Sequence, residues 1–143
     1  MSKYQYIFLI DDDKDDQFLF RYALKEISSS IHCDQASDGI TALKTLEELA
    51  VLPELIFLDL NMPIMHGFEC LEKLKTTQRI AKIPTVIFTT SNNPADIKQA
   101  QILGASGYFC KPMDFTQLIT HLQKVLSTDF TDRPAGGFVH FLA

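Results

Sequence analysis

Acids, hydroxyls and a lysine stand at widely separated places in this chain, each just after a short apolar run. Asp11, Asp12 and Asp13 follow Tyr6 to Ile10, with Asp15 and Asp16 one residue further on. Asp59 follows Leu55 to Leu58, Thr89, Thr90 and Ser91 follow Thr85 to Phe88, and Lys111 follows Gly107 to Cys110 and precedes Pro112. Carboxylates brought together from two such places either raise one another's pKa or require a cation. A hard divalent ion meets that need, because magnesium takes oxygen ligands, keeps several waters and commonly binds one or two carboxylates plus a phosphate. The hydroxyls can donate to an anion's oxygens, and the lysine can offset its charge. Such a set suits metal-assisted transfer of a phosphoryl group onto an aspartate.

The chemistry requires elements that carry those ends to one place. Five times the chain repeats a short apolar strand, a polar loop and an amphipathic helix. The predicted strands are Tyr6 to Ile10, a more polar Ile31 to Ala36, Leu55 to Leu58, Thr85 to Phe88 and Gly107 to Cys110. Leu55 to Leu58 shows no alternation, the mark of a strand buried on both faces. The helices carry apolar stripes: Phe18, Leu19, Tyr22, Ala23 and Ile27; then Ile40, Leu43, Leu46 and Leu49; then Phe68, Leu71 and Leu74. Asn93 and Pro94 open a fourth helix with Ile97 and Ala100, which stops near Gly104. Asp114 caps a fifth with Phe115, Leu118, Ile119, Leu122, Val125 and Leu126. Five such units predict an α/β fold, a doubly wound five-stranded parallel sheet in the order 2-1-3-4-5 with helices on both faces. Ligands of such folds bind at the carboxyl ends of the strands, where the acids, hydroxyls and lysine fall.

Four segments stand in order at those strand ends: FLIDDD, FLDLNMPIMHG, PTVIFTTS and GASGYFCKP. Through them the chain resembles a receiver domain of two-component response regulators, a flavodoxin-like fold, over about residues 5 to 126. The resemblance is to stand-alone members of the chemotaxis and phytochrome-associated types, and the FTTS wording leans toward the second. It implies that Asp59, with Met62 and Pro63 after it, is the phosphoacceptor. It implies that Asp12 binds Mg2+ directly, with Mn2+ as a substitute, that Asp11 acts through a bound water, and that the Asn61 backbone carbonyl completes the metal site. Thr89 matches the switch hydroxyl, Lys111 the lysine that pairs with phosphoryl oxygens, and Tyr108 the aromatic that changes rotamer between states. The Lys111–Pro112 bond is expected to be cis, as in relatives. Movement of Thr89 toward a phosphoryl group would vacate space that Tyr108 fills, changing the surface of the fourth helix, fifth strand and fifth helix.

Some residues depart from the commonest pattern. His66 stands where relatives often carry Asp, and is read as a tolerated loop substitution. Asp13, Asp15 and Asp16 exceed what a metal site needs, and are read as solvated helix-start charges, since acids favour a helix N-terminus. Asn61 and Ser91 occupy places that tune phosphate lifetime in the family. A dinucleotide-binding domain is set aside because DDDKDD replaces the glycine-rich turn after the first strand. A calcium loop fails because Asp16 stands at its glycine position and Tyr22 where its bidentate acid belongs. A phosphatase of similar chemistry would pair Asp59 with an acid two residues on, and Asn61 stands there. The alternative is a pseudo-receiver that never cycles through phosphate, which would be expected to lose the acid pair, the acceptor or the lysine.

Length and composition bound the rest. At 143 residues, 46% hydrophobic and 22% charged, the chain is ordinary globular material for one domain with a short appendage. The division expected is a receiver over residues 1-126 and a C-terminal tail over 127-143, mobile or docking through Phe138, Val139, Phe141 and Leu142. Thirteen basic against eighteen acidic residues leave a charge of −5, which argues against a dominant nucleic-acid face. No apolar run approaches the roughly 20 residues that cross a bilayer, and no signal-peptide core is present, so the expected location is cytoplasmic without membrane insertion. Cys33, Cys70 and Cys110 lack paired spacing and are read as reduced small hydrophobes. His32, His66, His121 and His140 lack zinc-ligand spacing. The implied role is a signalling switch with its own phosphorylation and dephosphorylation chemistry rather than a metabolic enzyme. The implied partners are a cognate sensor histidine kinase or histidine phosphotransfer protein and a downstream protein target, without direct DNA binding. Homodimerisation is compatible with the resemblance.

Overall fold

The computed structural model describes residues 3–130 and 137–141. Strand β1 (Tyr6–Ile10) leads to helix α1 (Lys14–Ile27), β2 (His32–Ala36) to α2 (Gly39–Glu48), and β3 (Leu55–Leu58) to α3 (Gly67–Thr76). Strand β4 (Thr85–Thr89) leads to α4 (Pro94–Ile102), and β5 (Gly107–Cys110) to α5 (Phe115–Leu126) and a sixth strand, β6 (Val139–Phe141). The sheet is parallel throughout, in the order β2-β1-β3-β4-β5-β6. The expected order is present, but the sheet has six strands rather than five.

The added strand has a physical cause. Without β6, the outer edge of β5 would present unpaired backbone groups. Val139, His140 and Phe141 pair with Gly107, Tyr108 and Phe109, and the Val139 amide donates to the Ser106 carbonyl at 3.0 Å. Gly107 makes the approach possible, since a Cβ there would lie 3.0 Å from the Phe141 ring and from the Val139 carbonyl. Phe141 meets the Phe130 ring at 6.1 Å, and Phe138 packs against the core on the α2, α3 and α4 side. Of the residues expected to dock, Leu142 lies outside the described residues.

Polar side chains start the helices. Asp13, Asp38, Asn93 and Asp114 each cap a first turn by accepting from backbone amides, and His66 does the same for α3 through Nδ1, 3.1 Å from the Phe68 amide. Gly104, at φ +97°, ends α4 in the left-handed region that a side chain would disfavour. β3 and β4 are wholly buried, whereas β2 is the polar edge strand, where the Tyr6 hydroxyl donates to Asp34 at 2.6 Å.

Two apolar layers hold the helices to the sheet. On one face Ile10, Leu58, Ile87 and Tyr108 pack with Leu46, Leu71 and Leu74. On the other, Leu9, Phe57, Phe88 and Phe109 meet Phe20, Leu24, Leu118 and Leu122. The stripe expected on α1 holds at Ala23 and Ile27 only. Gln17, Phe20, Ala23 and Leu24 face inward, while Phe18, Leu19 and Tyr22 are exposed. The reason is the Phe20 ring, which meets Phe57 edge-on at 4.9 Å and Phe88 at 5.4 Å and sets the rotation of the helix. On α2, Ala42 and Leu46 are buried and Ile40 is exposed.

Candidate functional site

The carboxyl ends of β1, β3, β4 and β5 meet at one rim. β1 runs into Asp11, whose amide donates to the Ala36 carbonyl, and β3 into Asp59, whose amide donates to the Ile10 carbonyl. These ladder bonds place the two acids side by side on neighbouring strands. Asp11 and Asp59 are buried, and Asp12 is exposed. One carboxylate oxygen from each of the three lies within 4.8 Å of the others. Two buried carboxylates and one at the water's edge form the donor set a hard divalent ion prefers, with an open side for water ligands. Asn61 is exposed two residues beyond Asp59.

Lys111 enters the same rim from β5. Its ammonium lies 2.8 Å from Asp11, 2.7 Å from Asp16 and 3.3 Å from Asp59, and 5.3 Å from the centre of the Phe88 ring. The Lys111–Pro112 bond is trans, and no peptide bond among the described residues is cis. The expected cis bond is therefore corrected: the trans form, the lower in energy, already carries the ammonium to the acids. The Lys111 amide is held by the Thr89 carbonyl at 2.7 Å.

Crowding leaves its mark on titration. Burial pushes the Asp11 carboxyl up to about 6 against the pull of Lys111 and the Asp13 amide, and the Asp59 charge adds to the rise. Burial alone would lower the Lys111 ammonium, but hydrogen bonds to Asp11 and Asp16 and the charges of Asp11 and Asp59 outweigh it and raise it. The thiols behave differently. Burial pushes Cys33 and Cys70 up to about 12, which favours the protonated thiol at neutral pH.

At the end of β4, Thr89 is fully buried and its Oγ1 has no hydrogen-bond partner among the described residues. Thr90, the neighbouring hydroxyl, is exposed, which settles which threonine faces the interior. Tyr108 is fully buried, and its hydroxyl donates to the Ser91 carbonyl at 2.8 Å. The aromatic thus occupies the interior while the Thr89 hydroxyl stands without a partner among the described residues. The ring also meets His140 of β6 edge-on at 5.9 Å.

Residues 7–123 match the family model described as the response regulator receiver domain. The chain belongs to that family. Among curated relatives it is 35% identical over 122 residues to the nitrate/nitrite response regulator protein NarL of Escherichia coli, covering 82% of this chain and 53% of that protein. It thus spans about half the length of NarL. It is 31% identical over 126 residues to the response regulator Rcp1 of Synechocystis, covering 85% of this chain and 86% of Rcp1. Among solved structures, the phosphorylated cyanobacterial phytochrome response regulator RcpA aligns at a TM-score of 0.79 and 31% identity, over 85% of this chain and 91% of that one. The Mn(2+)-bound form of Rcp1 aligns at 0.73 and 29%, over 87% and 96%. The fold of this receiver domain is accordingly flavodoxin-like, and its acid cluster lies at the carboxyl ends of the strands, where such folds bind ligands.

Two polar residues at the site escape a reading of sequence alone. Asp16, read as a solvated charge, pairs with Lys111, a contact across 95 positions that no local pattern reports. Gln17 is buried; its amide nitrogen donates to the Asp11 carbonyl and, at 3.1 Å, to Ser37 Oγ. A glutamine at helical spacing from Phe20 and Leu24 is the available signal. Ser91 Oγ donates to Asp96 at 2.6 Å, which ties the end of β4 to the first turn of α4.

Proposed function

We propose that this receiver domain accepts a phosphoryl group on Asp59 and uses the change to alter a protein-binding surface in two-component signalling. One observation carries the reading: the Asp59 carboxylate lies 3.3 Å from the Lys111 ammonium and forms one cluster with Asp11 and Asp12. A pseudo-receiver would be expected to lose the acid pair, the acceptor or the lysine, and Asp11, Asp12, Asp59 and Lys111 are all present.

In the proposed step an Asp59 carboxylate oxygen attacks phosphorus. A new O–P bond forms as the P–N bond of a donor phosphohistidine breaks, and the imidazole leaves with the electron pair. The donor is a sensor histidine kinase or a histidine phosphotransfer protein. A divalent ion, Mg2+ or Mn2+, held by Asp11, Asp12 and Asp59 with the Asn61 carbonyl, would offset charge on the phosphoryl oxygens when bound. Lys111 supplies a second positive charge beside Asp59. Burial of Asp59 excludes bulk water, which slows hydrolysis of the acyl phosphate. Thr89 offers an unused donor, and moving that hydroxyl toward a phosphoryl oxygen satisfies a buried group that has no partner now.

The movement reaches the surface through the end of β4. Ser91 joins the Tyr108 hydroxyl to Asp96 of α4, so a shift at Thr89 is felt on α4 and β5. Self-association through the α4, β5 and α5 side, raised by the family resemblance, would have to accommodate β6 along the edge of β5. The proposed output is binding of a protein target or onward passage of phosphate, in the cytoplasm. No helix among the described residues is long and apolar enough to cross a membrane.

Incubation with Mg2+ and a small acyl phosphate, followed by intact mass, tests the proposal. Wild type gains one phosphoryl group and Asp59→Asn gains none. No gain on wild type, or an equal gain on the variant, overturns it.

A further inference from the structure

One of the three ion pairs on Lys111 has no part in the phosphoryl transfer just described. Asp16 lies 2.7 Å from the ammonium, as close as Asp11 and closer than Asp59, yet it stands outside the cluster of Asp11, Asp12 and Asp59. It sits in the first turn of α1, its amide bonded to the capping carboxylate of Asp13 at 3.1 Å. The anchor is thus built on a capped helix and not on a loose loop.

An ammonium carries three N–H donors, and Lys111 has three carboxylates within 3.3 Å. A cation on Asp11, Asp12 and Asp59 draws on two of those three acceptors and repels the ammonium as well. Lysine is a point charge on a flexible four-carbon stem, so a lysine deprived of its acceptors has little to keep it in place. Asp16 is the acceptor that such a cation leaves untouched. It is also the farthest of the three acids from burial, with about a third of its side chain exposed. That exposure keeps it in contact with solvent whatever occupies the buried pair.

We propose that Asp16 is a positioning residue for Lys111. It keeps the ammonium beside Asp59 when a cation occupies the acid cluster, and it leaves two N–H groups free to meet phosphoryl oxygens. The inference rests on Asp59 being the acceptor, and it adds a role for a residue on α1 that does not touch the phosphoryl group.

The test compares Asp16→Asn with Asp15→Asn, which removes an equal charge from the same helical turn at an exposed position without contact to Lys111. In Mg2+ and a small acyl phosphate, Asp16→Asn is expected to slow phosphoryl uptake about tenfold, the size of one charge-assisted hydrogen bond, against no more than about twofold for Asp15→Asn. Asp16→Glu is expected to restore part of the rate. In a Lys111→Ala background Asp16→Asn should have no further effect, since both act through one ammonium. A second readout is independent of turnover: the Lys111 Cε signal in carbon-13 NMR stays shifted on Mg2+ addition in wild type and moves to the position of a free lysine in Asp16→Asn. Equal rates for the two asparagine variants, or a Lys111 signal that Asp16→Asn leaves unmoved, would overturn the inference. If wild type itself takes up no phosphoryl group, the acceptor reading fails, and the NMR comparison still decides the role of Asp16.

Discussion

Replacing Asp11 by asparagine should stabilise the metal-free protein at neutral pH, although it removes a charged partner of Lys111. The folded-state carboxyl titrates at about 6 against 3.8 for a free aspartate, so the folded protein prefers the protonated acid. A raised carboxyl pKa contributes stability that is fully present below pH 3.8 and is lost as pH rises through 6. At about 1.4 kcal/mol per unit, the roughly two-unit rise amounts to about 3 kcal/mol lost by wild type between pH 4 and 7. An asparagine side chain is neutral throughout and can still accept from the Asp13 amide, which donates to Asp11 Oδ1 at 2.9 Å. It pairs more weakly with Lys111, and the net gain should be about 1–3 kcal/mol at pH 7.5, shrinking toward zero near pH 4. Urea unfolding in chelator at the two pH values measures the difference directly. Millimolar Mg2+ should reverse the order at pH 7.5, because a ligand that binds only the folded state stabilises it and the Asp11→Asn variant lacks the needed charge. A variant destabilised equally at both pH values, or unresponsive to pH while wild type is also flat, would show that burial does not raise the Asp11 carboxyl.

Three further outcomes follow from individual positions. Thr89→Val removes a buried hydroxyl without a partner while keeping its shape, so chemical denaturation should show a gain of about 1 kcal/mol, and the NMR shifts of Tyr108 on phosphorylation should be lost. Gly67→Ala would drive a Cβ into the Asp59 carbonyl oxygen and to 2.5 Å from Leu60 Cα, both backbone. The acceptor loop must shift, and a loss of about 2–4 kcal/mol in urea unfolding is expected together with slower phosphoryl uptake. Ile64, at φ +70° and exposed, holds a β-branched side chain in the left-handed region; Ile64→Asn should raise stability by about 1 kcal/mol in the same assay.

The parallel order and the rim that gathers Asp11, Asp59, Thr89 and Lys111 were legible because each unit is local: an apolar strand, a capping residue and a helix. Asn93 with Pro94, Asp114 and Gly104 act where their types require. The stripe on α1 is ambiguous in the sequence because Phe18, Leu19, Phe20, Tyr22, Ala23 and Leu24 satisfy helical spacing in more than one phase. The rings of Phe57 and Phe88, far along the chain, select the phase that buries Phe20. β6 is hidden for a related reason. Three residues carry little periodicity of their own, and what holds them is Gly107's missing side chain and the Phe130 ring. At the site, residue types reveal which groups are charged but not which oxygen meets which ammonium, so the Asp16 pair and the inward Tyr108 could come only from the packed structure.

Phosphorylation of Asp59 would make one acyl phosphate bond, and chemical trapping detects that bond. After incubation with Mg2+ and a small acyl phosphate, borohydride reduces an aspartyl phosphate to homoserine, which peptide mass spectrometry can place in the sequence. Homoserine is expected at position 59 in wild type, dependent on divalent cation and absent from Asp59→Asn. Homoserine at another aspartate, or none anywhere under conditions that modify a known receiver domain, would contradict phosphorylation of Asp59.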